Sequence, residues 1–233
     1  MAMIRENFSR VSGHIASVCQ RLGRDPVEII LVGATKYAEA PQIKEALEAG
    51  LKHIGENRVQ EAQKKFAALD GFHVRAVRHM IGHLQTNKVR QAIELFDLIQ
   101  SVDSIKLAEE IEKQAAKLNK DITILVEVNT SGEEQKFGAK PDEVPALIQN
   151  ISRCPHIRLH GLMTMAPLTE DKGMIRQCFR DLRELSDAVE ENFAGHERIE
   201  MKYLSMGMTS DYEIALEEGA NMLRIGRAIF NEK

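Results

Sequence analysis

The sequence predicts a (β/α)8 TIM barrel, α/β in class, as a single domain over residues 1–233 with one additional helix at the N-terminus. Eight short apolar or β-branched runs alternate with helical stretches along the chain. The length of 233 residues is close to the roughly 250 usual for this fold. No GxGxxG turn follows the first run, which leaves the doubly wound open sheet as the second choice. No Ser/Gly-rich linker or low-complexity tract divides the chain.

Ile4, Phe8, Val11, Ile15, Val18 and Leu22 recur at steps of three and four, the stripe of an amphipathic helix that Gly23 ends. Ile29–Thr35 (IILVGAT) reads as a buried first strand, followed by a helix over Pro41–Ala49 that Gly50 closes. His53–Glu56 (HIGE) is the second strand, before a helix over Val59–Ala68. His79–Gly82 (HMIG) is the third, with a helix starting near Thr86 or Asn87. Leu98–Val102 (LIQSV) precedes a helix over Ile105–Leu118, and Thr123–Val128 (TILVEV) one over Asp142–Ile151. Ile157–Met163 (IRLHGLM) leads to a long helix over Lys172–Asn192, and Glu200–Met206 to one over Asp211–Glu218. Met222–Ile225 (MLRI) is the eighth strand, with a short helix over Arg227–Phe230.

In this fold the active site lies at the C-terminal ends of the strands, so the polar residues there matter most. They are Lys36, Asn57, Gly82 with His83, Asp103, Asn129 and Thr164 for the first six strands. Ser205, Gly207 and Thr209 follow the seventh, and Arg224, Gly226 and Arg227 belong to the eighth. Lys36 directly follows the most apolar strand. Partial desolvation there would lower its pKa and expose an amine suited to a Schiff base. The plain alternative is a lysine that snorkels to solvent. The segments Ser205–Asp211 (SMGMTSD) and Arg224–Arg227 (RIGR) each enter a helix, where free amides and the Thr209 hydroxyl suit a phosphate. An amine and a phosphate cradle in one mouth suggest pyridoxal phosphate (PLP).

Composition narrows the partners. The net charge of −4 argues against nucleic acid and against an anionic membrane surface. No apolar run reaches the ~18 residues of a membrane span, and the N-terminus lacks the apolar block of a signal peptide. Cys19, Cys154 and Cys178 are scattered and form no CxxC pair, as expected of reduced thiols in a cytoplasm. With aromatics at 5% and no Trp, the core must be aliphatic.

LVGATKY around Lys36, HIGENRVQEAQKK from His53, HMIGHLQTNK from His79, HGLMTMAPL from His160 and YLSMGMTSDYEIALEEGANMLRIGRAIF from Tyr203 resemble, in order and spacing, the YggS/PROSC family of PLP homeostasis proteins. The resemblance covers nearly the whole chain. It implies a barrel like the N-terminal domain of alanine racemase, PLP held covalently on Lys36, and a monomer that buffers the vitamer or passes it to PLP-accepting apoenzymes. It further implies a cofactor-binding set of Lys36, Asn57, Ser205, Gly207, Thr209, Arg224, Gly226 and Arg227. Within that set, Thr209 and the amides near Gly226 and Arg227 would take the phosphate, and Arg224 would face the pyridine nitrogen. A guanidinium only donates, so it does not favour a protonated ring nitrogen and weakens the ring as an electron sink.

Three positions depart from the family pattern: Arg58 stands where Tyr is frequent, Thr209 where Ser is, and Asn231 where Gly is. Against the racemase, the eight βα units leave no room for the β-rich second domain that supplies an opposing tyrosine, and two-base racemisation needs a group on each face. The expected activity is therefore binding without turnover. A PLP-dependent amino-acid racemase and a barrel for another phosphorylated metabolite are the competing readings. Weaker signals have ordinary explanations. His79 and His83 lack the glutamate of an HExxH pair and read as structural, as do Cys154 and His156. Arg75, Arg78, Lys88 and Arg90 read as a solvated face, and Met163, Met165, Met206 and Met208 as cofactor padding or core filler.

Overall fold

The structure is a computed structural model that describes residues 2–133 and 135–231. The strands β1 (Ile30–Ala34), β2 (His53–Glu56), β3 (Val77–Met80), β4 (Leu98–Val102), β5 (Ile122–Glu127), β6 (Ile157–Met163), β7 (Ile199–Ser205) and β8 (Met222–Ile225) pair in parallel, in sequence order. β8 returns to pair with β1, so the sheet closes. Helices α2 (Ala40–Glu48), α3 (Val59–Ala68), α4 (Val89–Leu95), α5 (Ile105–Leu118), α6 (Val144–Ile151), α7 (Lys172–Asn192), α8 (Tyr212–Glu217) and α9 (Arg227–Phe230) follow the strands in turn. The predicted (β/α)8 barrel is the fold found.

The additional helix α1 (Ala2–Leu22) is also present. Its stripe of Ile4, Val11, Ile15 and Val18 is buried against α2, α8 and α9. Asn7 Nδ2 donates to the Ile229 carbonyl at 3.2 Å, and beyond the helix Arg24 donates to Leu216 O at 2.8 Å. The helix thereby ties the start of the chain to the last βα unit.

The inner face of the barrel explains where a site can form. Side chains two apart on a strand share a face. Val32, Leu98, Leu125, Met163 and Met222 meet in an apolar layer inside the barrel. One step nearer the C-terminal mouth, the same faces carry Gln100 above Leu98, Glu127 above Leu125 and Arg224 above Met222. Ser205 stands likewise above Tyr203. The barrel is thus plugged by aliphatic side chains below and lined by polar ones above. A second, larger cluster seals the helices onto the outside of the sheet.

Most predicted boundaries hold within one or two residues. The third strand is the largest correction: it runs over Val77–Met80 and not His79–Gly82. Arg78, read as part of a solvated face, lies within the strand: its guanidinium lies 4.6 Å from the Phe66 ring centre and its amide donates to Asp97 Oδ2 at 2.8 Å. Gly82 falls in the loop beyond, against Asn57, where a Cβ would stand 2.5 Å from the Asn57 carbonyl oxygen. Two short 3-10 turns, Pro26–Glu28 and Thr86–Lys88, precede β1 and α4, and the first had no predicted counterpart. Met163 and Met206 are buried in the core. The three cysteines are buried and unpaired. Among the described residues no helix is long and apolar enough to cross a membrane, and no group of three His, Cys, Asp or Glu side chains could hold a metal.

Candidate functional site

Lys36 sits two residues past the end of β1, on the turn into α2. Its side chain is exposed, with Nζ 4.8 Å from the centre of the Tyr37 ring. The expected desolvation by the barrel wall is therefore not found. Thr35 is the last buried residue of this segment, and the turn lifts Lys36 clear of the sheet. What the structure supplies instead is a fixed backbone. Lys65 on α3 donates to the Thr35 carbonyl at 2.7 Å and to Glu56 Oε1 at 2.8 Å. Thr35 Oγ1 donates to the same carboxylate at 2.5 Å. Glu56 is buried, so its charge must be compensated, and both partners do so while holding the chain under Lys36. The sequence reading missed this pair, although an acid following the buried HIG run was its signal.

Lys36 shares a cleft of about 650 Å³ with Asn57, Arg58, Met80, His83 and Phe137. Asn57 thus lines the same cleft as Lys36, and Arg58 enters it as the residue preceding α3. The far wall is made by His83, whose ring stacks on Phe137 at 4.1 Å between centres and whose Nδ1 lies 3.3 Å from Asp103 Oδ2. Asn129 does not face the mouth. Its amide donates to the Glu133 carbonyl at 2.8 Å and shapes its own loop.

The last strand meets the first. Val32 pairs with Arg224 and Gly33 with Ile225. Gly226 packs on the segment that leads to Lys36, where a Cβ would stand 3.0 Å from the Ala34 carbonyl oxygen. Gly226 precedes α9, whose first amides have no intrahelical acceptor, and the Arg227 side chain is exposed beside them. Gly207 has φ +94°, and a Cβ there would meet Ala215 Cβ at 2.6 Å, so glycine is required by conformation and by space. Its carbonyl accepts from the Arg224 amide at 3.0 Å. Asp211 Oδ1 accepts from the Met208 amide at 2.5 Å and closes the turn that carries Thr209. The Thr209 hydroxyl makes no hydrogen bond among the described residues. It borders a groove with Lys172, Arg176 and Ser210 that shares no lining residue with the cleft of Lys36.

Arg224 is buried beneath this junction. It donates to Ser205 Oγ and to the Thr164 carbonyl, both at 2.7 Å. Burial pulls its pKa down to about 10, against the opposing pull of Glu127 and Asp211, so it remains a cation at neutral pH. Glu127 is buried, with no hydrogen bond to its carboxyl among the described residues, and burial raises that carboxyl to about 7 despite the Arg224 charge, with Asp103 adding to the rise. It was not singled out in the sequence, although a lone acid inside the run TILVEV was visible. Gln100, inside LIQSV, was missed in the same way.

The comparisons bear on this geometry. The alanine racemase N-terminal domain family matches residues 8–233. A PLP homeostasis protein of Aquifex aeolicus is 41% identical over 228 residues, covering 98% of this chain and 97% of that one. A structure of an unknown protein from Bifidobacterium adolescentis superposes with TM-score 0.92 at 36% identity, covering 98% and 95% of the two chains. PipY of Synechococcus elongatus, determined with PLP bound, superposes with TM-score 0.81 at 33% identity over 93% of this chain and all of that one.

Proposed function

The chain belongs to the alanine racemase N-terminal domain family and, within it, to the PLP homeostasis proteins, and from that membership we propose that it binds PLP as a Schiff base on Lys36 and buffers or delivers it without turnover of its own. The observation that carries this reading is the junction of β1 and β8. It brings the turn whose Gly226 and Arg227 amides meet no backbone acceptor among the described residues against the segment that ends in the Lys36 amine, with the buried Arg224 cation between strand ends. This donor set suits the group: an amine for the aldehyde, amides and the Thr209 hydroxyl for the phosphate, and a guanidinium for the ring nitrogen.

When bound, PLP supplies an electrophilic carbon and an electron-withdrawing ring. The chain's own residues set the limits on that chemistry. Arg224 stays protonated and can only donate, so it favours an unprotonated ring nitrogen and restrains carbanion chemistry. Glu56 and Lys65 hold the backbone that carries Lys36, and Asn57 and Arg58 line its cleft. Gly207 and Ser205 complete the set by keeping the seventh strand end close to Arg224. In this reading the protein is one domain over residues 1–233, a cytoplasmic monomer, with PLP-accepting apoenzymes as its partners and no role for nucleic acid.

The test is an absorbance spectrum of the PLP-loaded protein before and after borohydride, followed by peptide mapping. A reduced pyridoxyl adduct on the Lys36 peptide, absent in Lys36→Ala, is expected. No adduct, or an adduct on another lysine, refutes the assignment. Sustained loss of chirality from L- or D-amino acids at enzymatic rates would replace the carrier reading by that of a racemase.

A further inference from the structure

Arg224 does not stand alone inside the barrel. Its Nη1 donates to Ser205 Oγ at 2.7 Å, Ser205 Oγ donates to Gln100 Oε1 at 2.6 Å, and Gln100 Nε2 lies 2.9 Å from His79 Nδ1. His79 Nε2 in turn lies 2.9 Å from His53 Nδ1. The chain of contacts runs from β8 to β7, crosses the barrel to β4, and continues through β3 to β2. Arg224, Ser205, Gln100 and His79 are all buried, so each polar atom must find its partner within the protein.

The direction of every bond follows from one fixed end. A guanidinium donates and never accepts, so Ser205 Oγ must receive from Arg224. Its own hydrogen then goes to Gln100 Oε1, which places the Gln100 amide nitrogen toward His79. Rotating that amide would aim a second donor at Ser205 and leave the hydroxyl hydrogen without an acceptor. The amide nitrogen needs an acceptor in His79, so His79 Nδ1 is bare and Nε2 carries the proton, which it donates to His53 Nδ1. The second amide hydrogen of Gln100 points to Met222 Sδ at 3.2 Å. Burial drives the His79 pKa down to about 3, so the ring is neutral and able to accept.

We propose that Gln100 and His79 are positioning residues that orient the Ser205 hydroxyl and thereby hold the Arg224 guanidinium in one direction at the floor of the site. A neutral, one-way relay keeps the Ser205 lone pair turned to Arg224. With Nη2 held by the Thr164 carbonyl, the plane of the guanidinium is fixed by two partners, one at the end of β7 and one just past β6. Arg224 then meets a ligand as a preset donor and not as a mobile cation, and preset donors lose less on binding. The inference rests on the reading above only in taking that ligand to be PLP.

Two measurements test it. In cofactor-free wild-type protein, ¹⁵N spectra of the histidine rings should show His79 protonated on Nε2 and bare on Nδ1; the opposite tautomer overturns the relay whether or not PLP binds. In PLP-loaded protein, Gln100→Leu should weaken PLP binding by roughly tenfold or more and shift the absorbance maximum of the bound cofactor. Gln100→Glu offers a second probe. A carboxylate can only accept, so the His79 proton should move to Nδ1. Binding and absorbance unchanged in Gln100→Leu, or an unmoved proton in Gln100→Glu, would reduce the network to core structure and overturn the proposal. Failure of wild-type protein to bind PLP refutes the function and leaves the tautomer measurement to decide the relay.

Discussion

Replacing Glu127 by Gln should change how stability depends on pH, and the structure sets both sign and size. Glu127 is 2% exposed, has no hydrogen-bond partner among the described residues, and titrates near 7 in the folded chain against 4.5 when free. A carboxyl with a raised folded pKa contributes stability that is fully present below about 4.5 and is lost as pH rises through about 7. The loss over that interval, taken at ~1.36 kcal/mol for each pH unit, comes to about 3 kcal/mol. His79 acts with the opposite sign. Its pKa falls from 6.5 to about 3, so its contribution is present above 6.5 and lost as pH falls, about 2 kcal/mol by pH 5. Between 4.5 and 6.5 the two slopes oppose each other and the wild-type protein conceals both. Urea denaturation of cofactor-free protein across pH 4.5 to 8 separates them. Glu127→Gln should gain about 3 kcal/mol on wild type from the acid end to the alkaline end, and its own stability should fall on acidification below pH 6.5. A difference between the two proteins that stays constant with pH would refute a buried, protonated Glu127.

Thr209→Ala should loosen PLP, by about tenfold for one lost hydrogen bond, while the adduct on Lys36 still forms. Equilibrium dialysis reads the first and borohydride mapping the second, and undiminished retention would remove the hydroxyl from the phosphate cradle. Gly161→Ala should cost on the order of 3 kcal/mol or more. Gly161 has φ +137°, and a Cβ would stand 2.0 Å from the Tyr203 carbonyl oxygen at the register shift between β6 and β7. An unchanged urea midpoint would mean that the two strands slide apart without penalty.

The barrel was legible because its strands are read by composition. IILVGAT, TILVEV and MLRI are mostly apolar on both faces, as parallel strands buried on both sides are. The third strand was misplaced because the same rule fails near the N-terminal rim, where Val77 and Arg78 emerge from the core. The ends of the strands were legible too, since the fold dictates that the mouth lies there. Lys36 and Asn57 line one cleft there and Gly226 packs on the segment that leads to Lys36, whereas Asn129 turns into its own loop and Thr209 opens on a separate groove.

What the sequence did not disclose is the polar floor of the barrel, and the reason is geometric. Ser205 and Gln100 are 105 residues apart and bond across the barrel, and no local pattern encodes a contact between opposite strands. Yet each member left a local trace. Gln100 in LIQSV, Glu127 in TILVEV and Arg224 in MLRI each break an otherwise apolar strand. A polar residue inside a buried strand requires a partner, and three such residues on strands of one closed sheet can meet only in its interior. Arg224 is a cation, Glu127 an acid and Gln100 can both donate and accept, so the three are complementary in kind. Taken together, these interruptions pointed to a charged, hydrogen-bonded layer just below the mouth, the layer on which an anionic ligand held at the junction of β1 and β8 would rest.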